Sequence, residues 1–286
     1  MAKTDNLQDF LTDIANAIRA KKGTTEKINP QDFSKKIQGL SNFDADVVLA
    51  DNTVFGVQNI KGISVHEGVS SIGDRAFYML ESLTSVTLPQ GLTSIGNEAF
   101  SSCERLESIN IPEGVISIGA SAFYYCSSLA AIELPEGLTS IELECFSECY
   151  ELSSIILPSS LTSIGDFAFL FCTSLTSINL PGDNISIGIG AFKYCSELAS
   201  IVFHGNVSTI SSEAFQYCSK LTLIDLRQAT SIPTLESDNI VAGCTGGIKV
   251  VVPDSLYSQW LSSKNWSSFG SSLIIKASEY VESTTE

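Results

Sequence analysis

Eight cysteines and two histidines are the residues of this chain best suited to chemistry, and their spacing decides what they can do. Cys103, Cys126, Cys149, Cys172, Cys195 and Cys218 recur every 23 residues, and Cys244 continues the row after a three-residue insertion. Cys145 stands in a different row, otherwise held by alanine at 99, 122, 168, 191 and 214. With no CxxC pair, one thiol per period forms a line rather than a converging ligand set, so no metal site is predicted. Small buried thiols acting as hydrophobes are expected instead. Neighbouring thiols about 5 Å apart leave disulfide pairing geometrically open.

His66 and His204 share one row, 138 residues apart. At about 5 Å per period they lie roughly 30 Å from each other and cannot build one site. No Ser-His-Asp or Cys-His arrangement closes around either, and "IGIGAF" lacks the third glycine of a dinucleotide-binding loop. No catalytic residue and no cofactor are predicted, and the chain is read as non-enzymatic.

The densest polar feature is "IELECFSECYEL", with Glu142, Glu144, Glu148 and Glu151 in one period. Calcium favours such oxygens, but no EF-hand spacing or Asp-Gly loop accompanies them, and a solvated acidic rim is expected. From Leu106 to Phe192 there are ten carboxylates and no Lys, Arg or His. The whole chain carries a net charge of −16, +2 in residues 1–40 and −18 in the rest. That balance excludes nucleic acid, whose phosphates need basic patches, and leaves basic proteins and cations open.

The elements that position these side chains follow from the same period. Phe77, Phe100, Phe123, Phe146, Phe169, Phe192 and Phe215 are each 23 residues apart, as are Leu83 to Leu221, Val86 to Ile224, Leu88 to Leu226 and Ile72 to Ile210. Fixed apolar positions at such a period indicate a stacked solenoid. Apolar pairs two residues apart, from 63/65 to 250/252, occur nine times and point to one side of a strand, so successive copies stack as a parallel sheet. Proline at 89, 112, 135, 158, 181 and 253 ends each strand, and Gly91, Gly114 and Gly137 serve the following turn. The "xxAFxxC" segment suits one helical or 3-10 turn.

The predicted organisation is a helical N-terminal module over 1–40, with helices at 5–22 and 29–39, a connection over 41–59, the solenoid over 60–252 and a C-terminal cap and tail over 253–286. Trp260 and Trp266 are expected to close the last coil. No run reaches the roughly 18 apolar residues of a membrane span, and "MAKTDNLQDF" has no apolar signal segment.

Two surfaces are candidate binding sites. On the strand face, the outward positions between each inward pair are Thr87, Asn110, Glu133, Ile156, Asn179, Val202 and Asp225, and the polar members Asn110, Glu133, Asn179 and Asp225 are the predicted contacts. On the flank, the position two after the Phe holds Tyr125, Phe171, Tyr194 and Tyr217. These rings either anchor a partner or shield the gaps between coils.

The frame LPxGLTSIGxxAFxxCxxLxSIxL resembles the BspA-type leucine-rich repeat family of bacterial surface proteins over residues 60 to 252. His66 and His204 stand in its Pro row, Glu142 replaces a Gly, and Asn184 replaces an aliphatic residue. The resemblance implies an α/β leucine-rich repeat solenoid at the cell surface, binding a protein or glycan partner without catalysis. Residues 11–40 are similar to a small helical module of prophage tail and structural proteins. That similarity implies an alternative, a structural or receptor-binding subunit of a tail particle that self-assembles through residues 1–40. With no signal segment, a particle-associated or cytoplasmic location is the corresponding expectation.

Overall fold

The computed structural model describes residues 46–47, 60–65, 67–245 and 247–281. The helices predicted over 5–22 and 29–39, most of the connection and His66 lie outside them.

Nine strands carry the first residue of each repeated apolar pair: Gly62–Val65, Ser85–Thr87, Ser108–Ile109, Ala131–Glu133, Ser154–Ile156, Ser177–Leu180, Ser200–Phe203, Leu223–Asp225 and Lys249–Val252. They pair in parallel with equivalent residues opposite each other, as in Ile155 against Ile132 and Ile178 against Ile201. Six strands, beginning with Asp46–Val47, form one sheet, and five, ending with the non-repeat strand Ile274–Lys276, form the next. Alternation does the sorting: Ile178 and Leu180 are buried while Asn179 between them is exposed.

A second row of parallel strands comes from the "TSI" segments, from Ser71–Ile72 through Ser163–Ile164 to Thr234–Leu235. Its inward residues, Ile72, Ile95, Ile118, Ile141, Ile164, Ile187, Ile210 and Leu235, are all buried. Most of these strands are only two residues long, too short for an alternation signal.

The "xxAFxxC" flank closes each coil, and it is a turn rather than the expected helical piece. The residues two before and two after each Phe adopt left-handed backbone, with φ from 52° at Glu144 to 63° at Tyr194. A left-handed non-glycine residue costs about 1 kcal/mol and breaks a helix, so hydrogen bonds cross to the next coil instead. The amides of Ser121, Phe123 and Tyr125 donate to the carbonyls of Leu143, Cys145 and Ser147. Intervening amides bond locally, as Cys126 to Phe123. Most described coils are thereby hydrogen-bonded to their neighbours on three sides, with the strand ladders interrupted between Ser154–Ile156 and Ser177–Leu180 and between Ser117–Ile118 and Ser140–Ile141.

The Phe rings stack along the interior, with Phe146 between Phe123 and Phe169 at 5.4 and 5.5 Å. Hydroxyls line the corners. Thr93, Ser127, Ser153, Thr162 and Thr222 each donate to a carbonyl 23 residues earlier.

At the C-terminal end, Tyr257–Ser262 and Gly270–Leu273 are short helices flanked by 3-10 turns. Trp260 and Trp266 are buried edge to face, 5.7 Å apart. Thr234–Leu235 is the last strand of its sheet, and its outward carbonyls are occupied by side chains: Trp266 Nε1 donates to Pro233 O at 2.9 Å and Asn265 Nδ2 to Leu235 O at 2.6 Å.

Candidate functional site

On the strand face, Thr87, Asn110, Glu133, Ile156 and Asn179 are exposed in register, flanked by exposed Ser108, Ala131, Ser154 and Ser177. The inward neighbours in the core set their direction, and the small flanking row leaves them standing clear of a flat surface. Three of the four predicted contacts on this face, Asn110, Glu133 and Asn179, therefore share one accessible strip.

Asp225 does not belong to that strip. Its residue is only 5% exposed, and its carboxylate pairs with Arg227 through Oδ2 to Nη2 at 2.7 Å, while Oδ1 accepts from Nε at 2.9 Å and from the Arg227 amide at 3.0 Å. The Arg227 guanidinium lies 5.3 Å from the ring centre of Tyr280. That ring arrives with the extra strand Ile274–Lys276 and the following turn, which Asp254 holds by accepting from the Ser278 amide. Val251, the next outward position after Asp225, is fully buried. The terminal segment thus covers the last coils of the face, and Asp225 serves the fold.

The four flank aromatics divide into two groups. Phe171, Tyr194 and Tyr217 stack face to face at 4.6 and 4.7 Å, nearly parallel. The stack ends on Gly243, where a Cβ would sit 2.3 Å from Tyr217 Cδ1 and where φ is +77°. These rings spend their faces on each other and shield the coils, and only Tyr217 is largely exposed, at 44%. Lys193 pairs with Glu213 at 2.6 Å and lies over the Tyr194 ring.

Tyr125 belongs to a different cluster. Its ring meets Tyr150 edge to face at 5.9 Å and is tilted against Tyr124 at 6.3 Å. Tyr124 Oη donates to Glu148 Oε1 at 2.7 Å and Tyr150 Oη to Glu148 Oε2 at 2.6 Å. The hydrogen bond to that carboxylate, ahead of partial burial, pushes the Tyr124 phenol up to about 12 and raises Tyr150 for the same reason. Glu144 accepts from Ser121 Oγ, and Glu142 from Ser140 Oγ. Of the expected solvated rim, Glu142 and Glu151 are exposed, while Glu144 and Glu148 are half-buried and hydrogen-bonded. Tyr124 and Tyr150 were not among the predicted contacts. The signal available for them was the "FYYC" and "ECYEL" segments one period apart, which bring Tyr124 and Tyr150 to one glutamate.

The thiols are not poised for chemistry. All eight are free, and seven donate to a Phe carbonyl one coil earlier, as Cys149 to Phe123 at 3.2 Å and Cys172 to Phe146 at 3.1 Å. Burial pushes Cys103 and Cys149 up to about 12 and drives Cys126, Cys145, Cys172 and Cys195 upward as well. Cys244, half-buried at the end of the row, is drawn down by its hydrogen bond with Cys218, which the same contact pushes up. Among the described residues no three His, Cys, Asp or Glu side chains are placed to hold a metal ion, and no helix is long and apolar enough to cross a membrane.

Residues 48–152 and 117–246 match the model of the BspA type leucine rich repeat region, in six copies. No curated protein matches the chain. Among solved structures, a leucine rich repeat protein of T. pallidum is 31% identical, with a TM-score of 0.53 over 58% of this chain and 79% of that one. A leucine rich cell surface protein from Faecalibacterium prausnitzii A2-165 is 22% identical, with a TM-score of 0.44 over 82% of this chain and 94% of that one. The pneumococcal vaccine antigen PcpA is 19% identical, with a TM-score of 0.43 over 76% and 66%. Repeat frame, coil geometry and family match agree, and the chain belongs to the BspA-type leucine-rich repeat family.

Proposed function

We propose that this protein is a non-catalytic binding scaffold that presents the strand face of its middle coils to a protein or glycan ligand, in an adhesive role at a cell surface. The observation that carries this reading is the strip Asn110, Glu133, Ile156 and Asn179, exposed at the same position of four successive repeats, with Glu133 and Ile156 opposite each other in a parallel ladder. Such a strip offers the polar groups of Asn110, Glu133 and Asn179 around an apolar Ile156 at a spacing of about 5 Å per repeat, with little ordering of the backbone needed on binding. Seven of the eight thiols are buried, and burial raises Cys103, Cys126, Cys145, Cys149, Cys172 and Cys195, which supports the non-catalytic part.

The test is binding of the full chain to arrays of glycans and of purified extracellular proteins, with and without Asn110→Arg, Ile156→Arg and Asn179→Arg together. All three positions are exposed, so the fold should persist. Loss of at least about tenfold in affinity is expected for a ligand that uses this face, equivalent to about 1.4 kcal/mol. Undiminished binding by the triple variant would remove the face from the reading. The tail-particle alternative rests on residues 1–40 and is tested by light scattering on chains with and without them.

A further inference from the structure

On the turn flank, three row positions repeatedly bring glutamate, tyrosine and a cation together. Near the N-terminal end, Arg75 donates through Nε and Nη2 to Glu98, one coil on in the same row, and lies over the Tyr78 ring at 5.6 Å. Near the C-terminal end, Lys193 pairs with Glu213, 20 residues on, and lies over Tyr194 at 5.5 Å. Glu98, Glu144 and Glu213 are the three glutamates of that row. Both routes by which a cation reaches this row are occupied at Glu144 by neutral groups. Ser121, 23 residues earlier, stands where Arg75 stands for Glu98, and Tyr124, 20 residues earlier, stands where Lys193 stands for Glu213.

The neighbouring Glu148 is neutralised no better. Its oxygens each accept one phenol, from Tyr124 and Tyr150, and each keeps a second lone pair. Neither Glu144 nor Glu148 is in an ion pair among the described residues, and no Lys, Arg or His occurs from Leu106 to Phe192 to supply one. Two tyrosines from adjacent coils, Tyr124 and Tyr150, bond Glu148, and the Tyr125 ring packs against both of them.

We propose that the flank formed by Tyr124, Tyr125, Glu144, Glu148 and Tyr150 docks an arginine- or lysine-bearing segment of a protein partner, whose cation takes the place that Arg75 and Lys193 fill at the other glutamates of the row. Guanidinium fits both components: a fork of donors for the carboxylates and a flat cation for tyrosine rings. The proposal rests on the reading of the chain as a binding scaffold, but on a different surface from the strand face.

The experiment is fluorescence anisotropy of a labelled tri-arginine peptide with the full chain at low salt and at about 0.15 M salt. Glu144→Gln with Glu148→Gln should weaken binding by about tenfold or more, as for a lost close charge pair, while Glu107→Gln with Glu113→Gln, exposed carboxylates of the same cation-free stretch, should change it less than about twofold. A second variant, Tyr124→Lys, restores the relation seen between Lys193 and Glu213. It should fold with an unchanged or higher Tm and lose the peptide. Equal losses in the two Glu→Gln pairs would show attraction to net charge alone and overturn the proposal. So would retention of binding by Tyr124→Lys, sedimentation with phosphatidylcholine vesicles in place of peptide binding, or a calcium-dependent rise in Tm that the Glu144/Glu148 variant abolishes. Absence of peptide binding in a protein that still binds its array ligand through Asn110, Ile156 and Asn179 overturns this site and leaves the scaffold reading standing. Loss of the array binding alone does the reverse.

Discussion

The thiol of Cys149 donates to the carbonyl oxygen of Phe123, 26 residues earlier and one coil away, at 3.2 Å. The same contact joins Cys126 to Phe100 and Cys195 to Phe169. Cysteine is small and apolar enough for this row and still donates to that buried carbonyl, which alanine cannot do. Cys149→Ala should lower stability by about 1 to 2 kcal/mol, through the lost hydrogen bond and a small cavity. Urea denaturation reads the change, and a loss under about 0.5 kcal/mol would assign the row to packing alone.

The buried thiols also make the fold sensitive to alkali. A thiol that holds its proton more tightly when folded stabilises the folded state below its unfolded value, about 8.5, and that contribution is lost as pH rises toward the folded value. For Cys103 and Cys149 that value is about 12. The urea midpoint should therefore be flat up to about pH 8 and fall steadily above it, less steeply in Cys103→Ala with Cys149→Ala. Equal slopes in parent and variant would contradict the assignment. In the native chain at neutral pH, Cys244 should be the first thiol to react with a small reagent, since it is half-buried and drawn down.

Phe146 stacks on both neighbours and is fully buried. Phe146→Ala should cost about 3 to 5 kcal/mol and loosen both adjacent coils, because repeats couple to their neighbours. Hydrogen exchange should show protection lost in coils 100–123 and 169–192 before the ends. Uniform loss along the array would argue against nearest-neighbour coupling.

Glu148 holds the Tyr124 and Tyr150 phenols protonated beyond their ordinary range. In Glu148→Gln both should ionise nearer to about pH 10, since the charge that opposes phenolate is gone. Ultraviolet difference titration counts them, and two tyrosines shifting together is the expected result. An unchanged titration would mean that the phenols do not share this carboxylate.

Asn265 blunts the exposed edge of Thr234–Leu235 and itself adopts left-handed backbone, with φ at 63°. Asn265→Asp keeps the backbone preference but turns the donor into an acceptor facing Leu235 O. Stability should fall by about 1 to 3 kcal/mol, as for a buried carbonyl left unpaired. The freed strand edge should promote association, read as concentration-dependent sedimentation.

Much of this molecule was legible because its rows are strict. The Phe, Leu and Ile rows, the inward pairs from 63/65 to 224/226 and the thiols from Cys103 to Cys218 lie where the 23-residue period puts them, and Cys244 and Val250/Val252 follow after a three-residue insertion. What stayed hidden has physical reasons. Left-handed backbone at Arg75, Ser121, Tyr125 and Phe171 has no residue signature, because intercoil hydrogen bonds rather than side-chain preference impose it. The second strand row hides in segments of two residues. Asp225 looked like its row mates Asn179 and Glu133, and only the return of residues 274–280 over the last coils buries it. The Tyr124, Glu148 and Tyr150 contact joins adjacent periods at unequal row positions, which comparison along one row does not reveal.

The hydrogen bonds that cross the turn flank and the thiol row have a consequence for how such a chain can change in length. Each links a residue only to its counterpart in the adjoining coil, so the middle of the array has a translational symmetry with a step of 23 residues and about 5 Å. Removing residues 124–146 would join Phe123 to Ser147 and leave each row supplied with a chemically equivalent neighbour. Unequal recombination within the array is therefore structurally silent, and the distance between the two ends behaves as a ruler whose graduations can be added or struck out. The Trp260 and Trp266 end has no such freedom, because it fits one coil only.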